Sequence, residues 1–466
     1  MMLAHATPSD RRRSPFARQL LPAALGLLAA GPTLATNGMN LEAYGAKAGG
    51  MGGAAFAYDS GNSAVMNNPA TLILKPSGQG DFGLGLTLLA PDVSSSHPQA
   101  GSVASDGTAY WMPTIGYMQR QGDLAYGVAL LAQGGMGTEY GAGSSLFAGG
   151  RSAAGNPVAL SGEDIRSELS FGRVMFPLAW QATDRLSLAG QVDLVWGGLD
   201  LRMDMDGQTI AGMMGAGLVS GGLAGALGGL GDLHFARFDF SDNSAITGAA
   251  KGYGTAYKLG ALFKASDKLN LGVTYHSRTY IGDLKSDHAR IQADGSLGSA
   301  SMNGTIRVVN FQWPETYGLG LAYTANEQWM WAADIKHIGW SGAMKNFQLS
   351  FTDAGSGQSL NVSMPQNWKD QTVYAIGAQY KPTPALALRV GFNMASNPVP
   401  DNTLNPLFPA IVERHYTAGI GYRLTRASSV DAAMTVAPEA VATNPVTGIT
   451  SNHSQMSLRV NYSHAF

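Results

Sequence analysis

The sequence predicts an all-β protein, a 14-stranded antiparallel transmembrane β-barrel with an N-terminal hatch, or plug, inside the lumen. Three observations carry that expectation. Charged residues make up only 13% of the 466-residue chain, about half the share in soluble domains, while hydrophobic residues stand at an ordinary 45%. Long stretches alternate apolar and polar residues with period two, the mark of strands with two different faces. Short turns and long loops also follow one another along the chain, as in barrels with one short-turn rim and one long-loop rim.

The chain opens with Arg11, Arg12, Arg13 and Arg18, followed by the apolar run 20–30 and the small residues Thr33-Leu34-Ala35. This reads as a secretory signal peptide over 1–35, too short to span a bilayer. Residues 36–76 follow as the expected hatch. The stretch 37–72 is built from Gly, Ala and Asn, shows no strand alternation, and ends in the compact turn Asn68-Pro69-Ala70.

The barrel is expected over 77–466. Within 385–394, Leu386, Leu388, Val390, Phe392 and Met394 alternate with Ala385, Ala387, Arg389, Gly391 and Asn393. Segments 186–196 and 455–466 behave alike. Runs of this kind cover 78–90, 109–120, 123–135, 165–182, 185–203, 252–266, 268–283, 314–326, 328–341, 369–382, 384–396, 411–425, 428–438 and 453–466. Short turns fall at 121–122, 183–184, 267–268, 326–327, 383–384 and 427–428. Long extracellular loops lie between them, notably 141–164 and 204–251. Aromatics near strand ends (Tyr110, Trp111, Trp313, Trp329, Trp331, Trp340, Trp368, Tyr380, Tyr422) fit girdles at the membrane interfaces, with core packing as the other reading.

Inside the second long loop, 210–231 holds 22 residues without a charge, nine of them glycine. Glycine weakens a helix by about 1 kcal/mol each against alanine. Short apolar helices packed on the barrel mouth are therefore expected, not a membrane-spanning one.

Composition and motifs exclude much else. A net charge of −2 leaves no basic field for nucleic acid. The chain has no cysteine, which removes thiol chemistry and Cys-ligated metals. The loose G-x-G-x-x-A of Gly50 to Ala55 follows no strand. There is no G-x-S-x-G or H-E-x-x-H, and the nine histidines show no metal-ligand spacing. No enzyme, metal or cofactor is expected. An outer-membrane lipase-type enzyme with a Ser–His pair assembled across strands stays open as an alternative.

The segment Gly49-Gly50-Met51-Gly52-Gly53-Ala54, closed by Asn68-Pro69-Ala70 just before the first strand, resembles the FadL family of outer-membrane transporters for hydrophobic molecules. The run count and the C-terminal Phe466 agree. The resemblance implies a barrel closed by its hatch in the Gram-negative outer membrane, taking up hydrophobic small molecules passively. Substrate would bind an apolar groove among the loops, enter a lumen pocket, and leave sideways through a gap that an inward kink of the third strand makes beside Asn68-Pro69-Ala70. Long-chain fatty acids or monoaromatic compounds are the implied substrates. A general water-filled porin is the rival reading.

The residues add to this. In the third run, alternation from Leu124 to Leu130 fails at Gly134, Gly135 and Gly137, which permits a bulge; the other reading is a strand running into its loop. Leu146, Phe147, Met213, Met214, Leu218, Val219, Leu223 and Leu227 are the candidate loop groove, where methionine suits varied apolar shapes. Arg389, Arg423 and Arg459 have the parity of the lumen face, either to hold a substrate carboxylate or to pair with lumen acids. Expected partners are the substrate, outer-membrane lipid and lipopolysaccharide, and the barrel-assembly machinery through Phe466, with the chain as a monomer.

Overall fold

The computed structural model describes residues 37–242 and 248–466. The expected signal peptide and the first residue of the expected hatch lie outside the described residues.

The sheet closes on itself. Strand β1 (Gly80–His97) pairs with β2 (Tyr110–Gln121), β2 with β3 (Leu124–Tyr140), β3 with β4 (Ile165–Gln181), and β4 with β5 (Leu186–Asp206). The ladder runs on through Ala250–Lys264, Leu269–His276, Thr316–Thr324, Trp329–Ile338 and Gln371–Thr383. Leu386–Ala395, Arg414–Arg423, Ser428–Thr443 and Thr450–Ala465 complete it, and the last pairs back onto β1. Every pairing is antiparallel, so no edge along this ring is left open by its topology.

Period two sets the two faces. Leu388, Val390 and Met394 point outward and are exposed, while Ala387, Arg389 and Asn393 between them are buried. Leu188, Val192 and Leu194 of β5 stand outward against buried Gln191 and Asp193. The apolar outer wall and polar lumen are those of a strand that meets lipid on one side. No helix among the described residues is long and apolar enough to cross a membrane. The hairpin between β2 and β3 turns at Gly122, whose φ of 59° is the left-handed conformation glycine adopts without strain.

Among the described residues the connected sheet holds 22 strands, more than the fourteen expected of the barrel. The long loops are themselves stranded. The outer end of β5 pairs with Leu233–Phe240, and pairing continues through Leu284–Gly295, Gly298–Val308, Asn346–Asp353 and Ser359–Pro365. These strands were invisible as runs because their two faces are not sorted into lipid and water. The uncharged stretch within 204–251 folds as two short helices, Gly207–Gly215 and Gly222–Gly228, joined through the strand Val219–Ser220.

Residues 37–75 contact inward-facing groups of the ring. Their backbone or side chains bond inward-facing groups around the wall: Ala46 N to Asn461 Oδ1 at 2.6 Å, Gly52 N to Thr417 Oγ1 at 2.9 Å, and Ala55 N to Asp334 Oδ2 at 2.6 Å. On the opposite arc, Asn62 Nδ2 donates to Gly116 O at 3.0 Å and Lys258 Nζ to Val65 O at 2.9 Å. Small residues make this fit possible. A Cβ on Gly50 would lie 3.0 Å from the Gly419 Cα, so segment and wall approach backbone to backbone.

Candidate functional site

The wall is interrupted between β2 and β3. Their ladder begins at Gln121↔Leu124 and ends at Thr114↔Leu131, although β2 continues to Tyr110 and β3 to Tyr140. The gap closes again above, where Asp106 N donates to Glu139 O at 2.8 Å and Glu139 N to Ser105 Oγ at 3.0 Å.

A bulge in β3 makes the gap. On the β4 side the register shifts between Ala132 and Gly134. Before the bulge the odd residues Ala125, Ala129 and Leu131 are buried; after it the even residues Gly134, Thr138 and Tyr140 are. One extra residue, Gln133, thus swaps the faces of the strand and bends it. The bend goes inward onto the N-terminal segment. Asn40 forms an antiparallel bridge with Gly134, and Gly135 N donates to Met39 O at 3.2 Å. Tyr44 Oη donates to the Gln133 carbonyl at 2.8 Å, and Arg173 Nε to the Gln133 side-chain oxygen at 2.5 Å. A Cβ on Gly134 would meet the Met39 carbonyl and lie 3.1 Å from Trp313. The glycine is required by that close approach.

A cavity of about 210 Å³ runs through the gap. It is lined from the lumen face by Leu89, Pro91 and Phe171, and from the outer face by Trp111 and Trp196. Leu169 also borders a second, smaller chamber of about 20 Å³ deeper in the lumen, lined by Met39, Met203, Met344, Met364, Phe311, Phe347 and Phe408. An aromatic chain starts at Phe171 in the wall-cavity lining. Trp313 packs on Phe171 at 4.7 Å and on Trp340 at 5.8 Å, and Trp340 on Trp368 at 5.2 Å. Trp313 Nε1 donates to Asn40 Oδ1 at 2.7 Å. The arrangement offers apolar and aromatic surface from lumen to outer wall.

Several expected site residues sit elsewhere. Asn68, Pro69 and Ala70 do not meet Gly134, Gly135 and Gly137. Asn68 caps its own short helix, accepting from Ala70 N at 3.1 Å, and donates to Phe56 O at 2.8 Å and Ala261 O at 3.0 Å, beside Gly260. The part that touches the β3 glycines is Met39–Asn40. Trp313, Trp340 and Trp368, expected in the interfacial girdle, are buried in the lumen, whereas Trp111, Trp329, Trp331 and Tyr422 do stand outside.

The lumen arginines are already paired. Arg389 Nη1 donates to Asp431 Oδ1 at 2.7 Å and Arg459 Nη2 forms an ion pair with Glu42 Oε1 at 2.7 Å, while Arg423 is exposed near Lys47 and Asp59, away from both apolar cavities. Burial pulls the Glu42 carboxyl up, but the Arg459 guanidinium and His415 outweigh it and hold it below its ordinary value. Of the loop residues, Val219, Leu223 and Leu227 are buried in the large apolar cluster that includes the inner chamber, with Met213 and Met214 against it. Leu218 is half-buried beside them. Phe147 also packs against that cluster, on Tyr140 at 5.0 Å, and Leu146 is buried next to it in sequence. None of the eight lines either cavity. Sequence reasoning missed Phe171, Trp196, Phe311 and Met39; their parity shows a face, not that the faces converge on one gap.

Residues 26–464 match the model of the family described as outer membrane protein transport protein (OMPP1/FadL/TodX). The chain belongs to that family. Its members are transport channels, not enzymes. Among solved OMPP1/FadL/TodX structures, the Pseudomonas putida toluene transporter TodX is 32% identical, covering 92% of this chain and 99% of its own, with a TM-score of 0.81. The Ralstonia pickettii toluene transporter TbuX is 31% identical over 92% of this chain and 99% of its own, with a TM-score of 0.77. A Pseudomonas aeruginosa FadL homologue, at 16% identity over 92% of this chain and 99% of its own and a TM-score of 0.65, shares the fold. An uncharacterised Chlorobium limicola protein is 58% identical over 72 residues, 16% of this chain and 36% of that protein.

Proposed function

We propose that this protein is a channel of the Gram-negative outer membrane that takes up single-ring aromatic hydrocarbons and releases them sideways into the bilayer. The observation that carries the reading is the interrupted β2–β3 ladder with an apolar cavity through it. Residues 36–76 act as the hatch that closes the barrel of 77–466 to water. An apolar solute gains roughly 0.8 kcal/mol for each methylene-sized group it buries, so an apolar route ending in lipid suits it better than a wet pore. It would land on the loop surface around Met213, Met214, Leu223 and Leu227 and pass the Met- and Phe-lined lumen surface at Leu169 to the wall cavity, which has room for a ring. Met39–Asn40, not Asn68–Ala70, would hold the kink.

Two observations favour monoaromatic compounds over long-chain fatty acids. An apolar cavity of roughly 150 Å³ holds a benzene ring, and the wall cavity is about 210 Å³. Arg389 and Arg459, which would hold a carboxylate, are neutralised by Asp431 and Glu42. The 31–32% identity to proteins described as toluene transporters points the same way. Lipid, lipopolysaccharide and the barrel-assembly machinery that meets Phe466 complete the expected partners of a monomeric chain. The test is uptake of labelled toluene and labelled oleate by lipopolysaccharide-bearing cells with and without the chain. Faster toluene entry is expected, and equal entry of both compounds in both cells contradicts the reading. A large steady ion current in a planar bilayer would mark a general porin instead.

A further inference from the structure

The wall gap is not empty across its width. Tyr110, the first residue of β2, pairs with Leu89 on the lumen face, while its neighbour Trp111 pairs with Leu88 and is exposed outside. The Tyr110 side chain reaches across the unladdered interval toward β3. Its hydroxyl lies where a Cβ on Gly137 would stand, with its Cζ 2.9 Å from that position. The same hydroxyl lies 2.5 Å from where a Cβ on Gly107 would be. Two glycines on opposite sides of the opening thus make room for one phenol. Both Tyr110 and Gly137 line the wall cavity.

We propose that Tyr110 is a specificity-determining bar across the lateral opening, setting the largest hydrophobic molecule that leaves through it; this rests on the lateral-release reading above. The bar is a single side chain anchored at one end of a strand. Below it the opening is bounded by the last ladder pair, Thr114↔Leu131, and above it by the Asp106–Glu139 bond. Those backbone bonds fix the height of the opening, so the reach of residue 110 sets what remains of its width. A flat, single ring passes edge-on beneath a phenol; a ring with bulky branches at three positions does not. Discrimination by the shape of an apolar passage is worth about tenfold to a few hundredfold for a small group.

The experiment compares entry of toluene with entry of 1,3,5-triisopropylbenzene into lipopolysaccharide-bearing cells that express the full chain, Tyr110→Ala or Tyr110→Trp. Heat-modifiable gel migration reports that each barrel is folded. Tyr110→Ala should raise the ratio of bulky to small entry about tenfold, and Tyr110→Trp should lower toluene entry itself. If Tyr110→Ala does not fold, the direction of Tyr110→Trp decides. Gly134→Val, which displaces the kink, is run alongside. Loss of toluene entry in Gly134→Val with an unchanged ratio and unchanged toluene entry in the Tyr110 variants overturns the bar and leaves lateral release standing. Unchanged toluene entry in folded Gly134→Val overturns lateral release and, with it, the bar.

Discussion

Replacing Glu42 by Gln should detach the N-terminal segment from the far wall without unfolding the barrel. Glu42 is buried at 1% exposure and meets Arg459 Nη2 at 2.7 Å. Arg459 has the same 1% exposure and donates Nη1 to Thr435 Oγ1 at 2.9 Å. Removing one partner of a buried pair costs about 3–5 kcal/mol, because the other charge is left without compensation. The glutamine amide oxygen still accepts a bond from Arg459, so the lower end, about 3 kcal/mol, is expected. The ring itself loses no ladder bond, so the cost falls on local opening of the segment. Amide exchange of residues 42–53 should then speed up by roughly 100- to 200-fold, with strand amides unchanged. The double variant Glu42→Gln/Arg459→Met should recover part of the protection, as neutral residues of similar size do in place of a buried pair. Unchanged exchange in Glu42→Gln would refute the claim that this pair anchors the segment.

The same pair has a pH signature. The Glu42 carboxyl is held below its ordinary value of 4.5 in the folded protein. Its contribution is therefore present above that value and lost as pH falls through the folded one. Protection of 42–53, corrected for intrinsic exchange, should be level from pH 8 to about 5 and fall below about 4; loss already between pH 7 and 5 would contradict it. Trp313→Phe keeps the ring stack but removes the 2.7 Å bond to Asn40. Exchange at Met39 to Tyr44 should rise by about 1–2 kcal/mol of local stability, and equal exchange would assign that bond no role. Gly134→Val places side-chain atoms against the Met39 carbonyl and Trp313. It should cut toluene entry at least about tenfold, in a barrel that still shows wild-type circular dichroism.

What the sequence made legible follows from the membrane. A strand between lipid and a polar lumen must alternate, so the faces of 186–196 and 385–394 were readable residue by residue. The loop strands such as Leu284–Gly295 lacked that contrast and read as loop. Trp313, Trp340 and Trp368 sit near strand ends like girdle residues, and only packing shows that they turn inward. The failure of alternation after Leu131 marked the kink, because a bulge residue leaves a parity change in the sequence. Its partner was not legible. Asn68-Pro69-Ala70 is the distinctive turn, but its asparagine is used to cap its own helix and to bond Ala261. Met39–Asn40, with nothing unusual in sequence, receives the strand. Arginine parity was right for Arg389 and Arg459, and pairing with lumen acids was one reading of it, yet those acids lie far along the chain, so which acid each meets appeared only in three dimensions.

The lateral route can be closed and reopened in one molecule. The chain has no cysteine, so Met112→Cys and Ala132→Cys form a clean pair on either side of the wall cavity, which both residues line. Joining them with a short bis(methanethiosulfonate) cross-linker, which forms a reducible disulfide with each thiol and releases methanesulfinate, ties β2 to β3 just above their last ladder pair. Toluene entry should stop on cross-linking and return on reduction. Full cross-linking with undiminished entry would show that the substrate leaves by another path.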